Sequence, residues 1–343
     1  MKISPSACLP RKQRGAATPE RVRFVNLFRC SFVAFALSVA GPLRGQTQTD
    51  DPDFKAVVEE PAYSSNGPVI AIDEAHANFH TSTGRYRPFA ELLRADGYRV
   101  KASGEKFHPG TFTGIAVLVV ANPQSGNRTE PAFTAAECDA VFDWVQSGGA
   151  LLLIADHAPF GSAAENLAHR FGVTMGKGWV YDHTPGGANA ITTQLDFSRE
   201  NQLLGTHPLL AGRNAREAIN KVRAFTGQSL GLPRGATALL KLSPTAREVP
   251  TTADLDAAAA AAKGSPAAHP APGALVDRVQ GLAMPCGEGR LVVMGEAAMF
   301  SAQVITLGQG DQKRVIRAGM NVSGYDDRQL ALNVLHWLSG LIP

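Results

Sequence analysis

Cysteine is scarce in this 343-residue chain, with four residues, two of which (Cys8 and Cys30) fall in the first 45. The remaining Cys138 and Cys286 stand at unrelated spacing, which excludes a disulfide scaffold and leaves one pairing or two buried structural thiols. The apolar stretch Ser31–Ala40 falls well short of the roughly 20 residues a bilayer span needs. No cysteine follows it, which argues against a lipid anchor. A GxxxxGK[ST] phosphate loop is missing, so Asp73-Glu74-Ala75-His76 is not the helicase box it spells. The HExxH signature is missing too, because Ala77 follows His76. Excess positive charge is absent from the body of the chain. Residues 1–45 carry eight Lys/Arg against Glu20, net +7, and the whole chain is only +3, which leaves −4 for residues 46–343. The basic character belongs to the leader, and nothing in the rest predicts a nucleic-acid partner.

The first 45 residues read as a secretory signal: a long basic region, an apolar core, and small residues at Ser38-Val39-Ala40 for cleavage, with Gly45 as the alternative. The expectation is an exported protein, periplasmic or extracellular, with no stable membrane span after cleavage. Residues 46–66 are polar and rich in Pro and Ser and read as a linker. Residues 67–343 then alternate strand and helix signals. Strands are expected near 68–73, 98–102, 115–121, 150–155, 275–280 and 290–294. Helices are expected near 86–96, 134–146, 163–171 and 328–338, with Thr134 and Glu137 forming a capping box. This rhythm predicts an α/β fold with a doubly wound parallel sheet. Residues 244–274 are of low complexity and read as a mobile surface loop.

The strands end on chemistry. Val69–Ile72 runs into Asp73, Glu74, His76, Asn78 and His80. Ile115–Ala121 ends at Asn122. Leu151–Ala155 runs into Asp156-His157, and Leu291–Gly295 into Glu296. The carboxyl ends of parallel strands form the usual ligand edge of such sheets. His157 is the candidate acid/base, with Asp156, Glu74 and Glu296 to orient it. His76 and His80, spaced i,i+4, are candidate ligands for a divalent metal. Asn78, Asn122 and Asn321 are candidate ligand-binding groups. Gly227-Gln228-Ser229-Leu230-Gly231 matches the GxSxG nucleophile elbow, but Pro233 and Gly235 break the helix that must follow, so a turn between two β runs is the simpler reading.

Taken together, IDEAHANFH, WVQSGGALLLIADHAP, GEAAMFSAQ and the closing NVLHWL resemble a bacterial domain family of unknown function. It belongs to the class I glutamine amidotransferase-like superfamily. The resemblance spans about residues 66–342. It implies a flavodoxin-like three-layer sandwich with a mostly parallel sheet. Amidotransferases carry a nucleophilic Cys at the turn after a central strand, and here that turn holds Asp156-His157, so Cys-dependent amidotransfer is not expected. Two functions stay open: a hydrolase, metal-assisted or using His157 as acid/base, and a non-catalytic module that binds a carbohydrate or other polar ligand in the cell envelope. A structural partner in an envelope complex is a third.

Overall fold

The computed structural model describes residues 46–127, 129–183, 191–264, 275, 277–308 and 313–343. The expected signal segment, with Cys8 and Cys30, lies outside the described residues. Eight strands make the central sheet: β1 (Val69–Asp73), β2 (Arg99–Ser103), β3 (Val117–Ala121), β4 (Ala150–Ile154), β5 (Leu230–Gly231), β6 (Thr237–Lys241), β7 (Arg278–Cys286) and β8 (Gly289–Met294). Their order is β5-β7-β8-β4-β3-β1-β2, with β6 also paired to β7. The pairings from β8 through β4, β3 and β1 to β2 are parallel, whereas β5, β6 and β8 pair antiparallel with β7. The fold is therefore mixed α/β, and the expected mostly parallel sheet is corrected to a mixed one. A tight turn at Gly287, where φ is +59°, returns β7 directly into β8, so no crossover helix intervenes and the pair must run antiparallel.

Among the described residues, six α-helices accompany the sheet: α1 (Arg87–Ala95), α2 (Ala135–Gln146), α3 (Phe160–Arg170), α4 (Pro208–Ala211), α5 (Thr252–Gly264) and α6 (Asp327–Leu338). Side-chain alternation along the parallel strands sorts the core into two faces. Ile70, Ile72, Val117, Val119, Leu152 and Ile154 pack with residues of α1 and α6. Ala71, Leu118, Val120, Leu151 and Leu153 pack with α2 and α3. Burial on both faces explains why these strands read as continuous apolar runs. The capping box of α2 is present, with Thr134 Oγ1 accepting from the Glu137 N–H and Glu137 accepting from the Thr134 N–H.

Two expectations are revised at the chain's polar segments. Gln46–Asp50, read as linker, pairs antiparallel with Ala302–Leu307, which in turn pairs with Arg314–Gly319. Within the expected mobile loop, Arg247–Val249 pairs with Trp179–His183, and α5 buries Leu255 against Trp179, Tyr181 and Val249. The alanine run is a good helix former, and one apolar anchor suffices to dock it. The part of that loop from 265 to 274 lies outside the described residues. Cys138 and Cys286 are both free and buried, and burial pushes the Cys138 thiol up to about 11.

A buried ionic clamp fixes the end of β1. His76 Nδ1 lies 2.9 Å from both carboxylate oxygens of Asp73, and Nε2 lies 2.9 Å from Glu137 Oε1 on α2. Phe107 and Phe133 flank the imidazole, each with its ring centre 4.5 Å away. Both ring nitrogens face carboxylates, so the ring is pinned between Asp73 on β1 and Glu137 on α2. Burial pushes the Glu137 carboxyl up, but hydrogen bonds from His76 and Thr134 outweigh it and hold the group at about 2. A depressed carboxyl stabilises the fold above its unfolded value of 4.5 and loses that contribution as pH falls toward 2. Substituting His76→Ala strands two buried carboxylates and is expected to cost about 3 to 5 kcal/mol in urea unfolding at neutral pH. A loss under about 1 kcal/mol, the scale of an exposed ion pair, would contradict the clamp.

Candidate functional site

Register brings the strand ends into one row. Ala121 stands opposite Ile154, and Ile154 opposite Met294. Asn122 is thus one residue beyond the row, and Asp156 and Glu296 are each two beyond it on neighbouring parallel strands. Neighbouring strands run about 4.8 Å apart, so the two carboxyls share one locality. Asn122, held at φ +49°, accepts the Asp156 N–H through Oδ1 at 2.8 Å and directs Nδ2 to His80 Nδ1 at 3.1 Å. One asparagine therefore ties the ends of β1, β3 and β4 together.

The two acids are buried and bonded to backbone amides. Asp156 Oδ1 accepts the His157 N–H at 2.7 Å. Glu296 accepts the N–H groups of Ala298 and Met299 at 2.7 and 2.9 Å. Burial, and then the nearby Asp156 charge, push the Glu296 carboxyl well above its ordinary range, against the pull of the two amides. Burial also raises Asp156, against the pull of His157 and the amides. Two like charges at one dry locality resist joint ionisation, so the pair retains a proton where isolated carboxyls have lost theirs. Tyr86, whose hydroxyl donates to Ala297 O at 2.9 Å, stays un-ionised because of burial and both acids. Burial, and then the nearby Arg85 charge, push His80 down to about 3, so its imidazole is neutral.

His157 is held on two sides. Its ring stacks on Trp179 with centres 3.4 Å apart, and Nδ1 lies 2.9 Å from Ala158 O. A carbonyl only accepts, so this contact puts a proton on Nδ1. Nε2 lies 3.9 Å from Asp156 Oδ1. Gln228 closes the cluster from the β5 side, with Nε2 donating to the carbonyls of Ala155 and Asp156 at 2.7 and 2.9 Å. Gly227 lies directly over β8: at its φ of +76° a Cβ would fall 2.4 Å from Gly295 O and 2.9 Å from Glu296 Cβ. Only glycine fits that approach.

His157, Asp156, Glu296, Asn122 and His80 are thus brought together at one edge, as the strand ends predict. Other candidates are not part of that cluster. The pairing of His76 and His80 as metal ligands is corrected: both nitrogens of His76 are engaged by carboxylates, and His80 Nδ1 faces Asn122. Among the described residues, no group of three or more His, Cys, Asp and Glu side chains could hold a metal ion. Glu74 accepts the backbone N–H and hydroxyl of Ser82, both at 2.7 Å, and fixes a loop rather than orienting His157. Asn78 accepts the His76 N–H at 3.1 Å and supports the clamp. Asn321 donates to Asp51 and to Gln303 O, away at the small sheet. Ser229 of the GxSxG stretch is fully buried and donates to Glu248 while accepting from Arg278, so it is no exposed nucleophile.

Trp179, Gln228 and Arg85 contribute from outside the ends of the buried parallel strands, so the apolar-run signal does not reach them. Arg85 follows Gly84 in the loop before α1, and no periodicity or motif singles it out. Its Cζ lies 4.1 Å over the Phe79 ring. A separate cleft of about 450 Å³ lies elsewhere, lined by Asp182, His183, Asp196, Asn201, Leu242 and Ser243 among others. No helix among the described residues is long and apolar enough to cross a membrane.

Neither a protein-family model nor a curated protein matches the sequence. Solved structures do resemble the fold. The mmIFT52 N-terminal domain superposes with a TM-score of 0.52 at 15% identity, covering 79% of this chain and 97% of that one. A ThuA-like protein from Bacteroides uniformis gives 0.39 at 14% identity, covering 82% and 93%. A β-galactosidase from Bacillus circulans gives 0.32 at 8% identity, covering 72% of this chain and 35% of that one. The first of these likenesses concerns the fold alone.

The acid pair generates a pH prediction. A carboxyl whose folded value is raised penalises the fold increasingly as pH rises above its unfolded value of 4.5. Glu296→Gln imitates the protonated form. Its amide faces two N–H donors, which costs a constant amount, but the melting temperature of the variant relative to wild type should climb between about pH 5 and pH 8. A difference flat across that interval would contradict the raised value.

Proposed function

We propose that the chain is an exported hydrolase built on a flavodoxin-like sandwich of the class I glutamine amidotransferase-like type, with its site at the carboxyl edge of the parallel strands. The observation that carries this reading is the burial of Asp156 and Glu296 together at the ends of neighbouring parallel strands, beside His157. Groups of unlike proton affinity collected at one strand edge are the usual basis of acid/base work. The clustering of five predicted residues there supports it further.

In this reading His157 is the base. The Nδ1 proton is committed to Ala158 O, the ring is oriented by Trp179, and Nε2 takes a proton from the attacking water. The oxygen of that water bonds the electrophilic centre of the substrate. The retained proton of the acid pair passes to the leaving group as its bond breaks, and the imidazolium then returns its proton to the pair. Standard amidotransfer is not proposed, because the turn after β4 carries Asp156-His157 in place of a cysteine.

A second reading, a non-catalytic module for a carbohydrate or other polar ligand, is supported by the cleft bordered by Asp182 and Asp196. Asp182 there accepts the hydroxyls of Ser243 and Thr245, both at 2.6 Å. Such prepositioned polar groups suit hydroxyl-rich ligands.

The test is a panel of aryl esters, phosphoesters and glycosides offered to the purified protein. Hydrolysis of one class is expected, with His157→Asn lowering kcat roughly 10²- to 10⁴-fold. Hydrolysis unchanged in that variant, or absent for every class while a saccharide binds the cleft, would replace the first reading by the second. Export predicts that the envelope fraction holds a protein shortened by about 40 to 45 residues at its N-terminus. Full-length protein confined to the cytosol would contradict it.

A further inference from the structure

Among the described residues, every acid at the carboxyl edge has a partner, but one cation there does not. Asp73 and Glu137 are held by His76, Glu74 by Ser82, Asp156 by the His157 amide and Glu296 by the amides of Ala298 and Met299. On the neighbouring turn Arg87 is paired with Asp50 and Glu91. Among the described residues, Arg85 has no ion-pair or hydrogen-bond partner. Arg85 is half-buried, and its Nη1 is buried without a hydrogen-bond partner, so one guanidinium donor faces inward with no acceptor. Leaving a buried charged donor unsatisfied costs more than a neutral one, so a ligand that satisfies it gains correspondingly.

Its surroundings lead to the reactive groups. The guanidinium lies over half-buried Phe79. The Phe79 ring is 5.3 Å from His80 and 5.6 Å from Phe160, and Phe160 is 6.1 Å from His157. Arg85 and Phe79 thus form a rim between solvent and the cluster, with a cationic fork above an aromatic plate. A guanidinium fork matches a carboxylate two bonds at a time. His80 is neutral, which leaves the Arg85 guanidinium as the described cation over Phe79. One positive charge suits a monoanion better than a phosphate dianion.

We propose that Arg85 anchors the carboxylate of an aromatic or otherwise apolar carboxylic acid, whose apolar part lies on Phe79 and whose reacting bond extends toward His157. The proposal rests on the reading of this edge as the reactive one and adds the substrate class: small apolar molecules bearing a free carboxylate.

Benzoate, benzamide and inorganic phosphate are the probes, titrated into the full chain with calorimetry and the Arg Nε–H signals of NMR as readouts. Benzoate is expected to bind saturably and to shift the Arg85 signal, while benzamide and phosphate bind far more weakly. Arg85→Gln should weaken benzoate about 10- to 100-fold, Arg85→Lys should fall between, and the exposed Arg94→Gln should leave binding unchanged. Equal binding of benzamide, preference for phosphate, or full binding in a folded Arg85→Gln variant would overturn the proposal. His157→Asn separates the two readings. Benzoate bound normally by that variant, with no hydrolysis by wild type, sinks the hydrolase and keeps the subsite. Hydrolysis of neutral esters without any carboxylate binding does the reverse.

Discussion

The carboxyl edge of the sheet is where an apolar interior meets polar chain, with little water to satisfy it. The strands behind the edge are fully buried Val, Leu and Ile, yet Asp73, Asn122, Asp156 and Glu296 come at or just after their ends. Each must find its partner inside the protein or carry a desolvation cost of several kcal/mol. The local architecture answers that demand. His76 bridges two acids, Asn122 bridges two strand ends, Gln228 caps two carbonyls, and Glu296 gathers the amides of its own turn.

The same constraint divides the ionisable groups into two kinds. Where a carboxylate meets hydrogen-bond donors, as Glu137 meets His76 and Thr134, its charged form is stabilised and the group is a fastener. Where like charges meet, as in Asp156 and Glu296, the charged forms are disfavoured and a proton is retained. Fasteners gain nothing from a ligand. A proton-retaining pair beside an oriented imidazole has chemistry in reserve, and half-buried Arg85, with no counter-charge among the described residues, is a further uncompensated element of the same edge.

Much of this edge was legible in the sequence because parallel strands announce themselves. Buried on both faces, they read as short apolar runs, and the polar residues that end them stand out. Asp156, His157, Glu296 and Asn122 were found that way, and the capping box at Thr134 was read from spacing. What was illegible is who pairs with whom. Glu137 reads as a capping residue, and only the packing of α2 on the sheet reveals that its other oxygen takes His76. The i,i+4 spacing of His76 and His80 suggested a shared ligand, but Ala77 at φ +48° turns the chain, so the two rings serve different partners. Local patterning likewise missed Gln46–Asp50, whose strand character comes from a partner more than 250 residues away, and α5, whose single leucine anchor is invisible in a run of alanine. Arg85 carried no signal because its significance lies in what it does not touch.

The most direct test of this account is carboxyl ¹³C NMR of the folded protein with labelled Asp and Glu, titrated with pH and assigned through Asp156→Asn and Glu296→Gln. The account predicts that the Asp156–Glu296 pair titrates as a coupled unit and gives up its last proton well above the ordinary carboxylate range, while Glu137 remains ionised down to about 2. If both members of the pair instead lose their protons independently near the ordinary carboxylate value of about 4, the edge holds two solvated anions and the proposed chemistry fails.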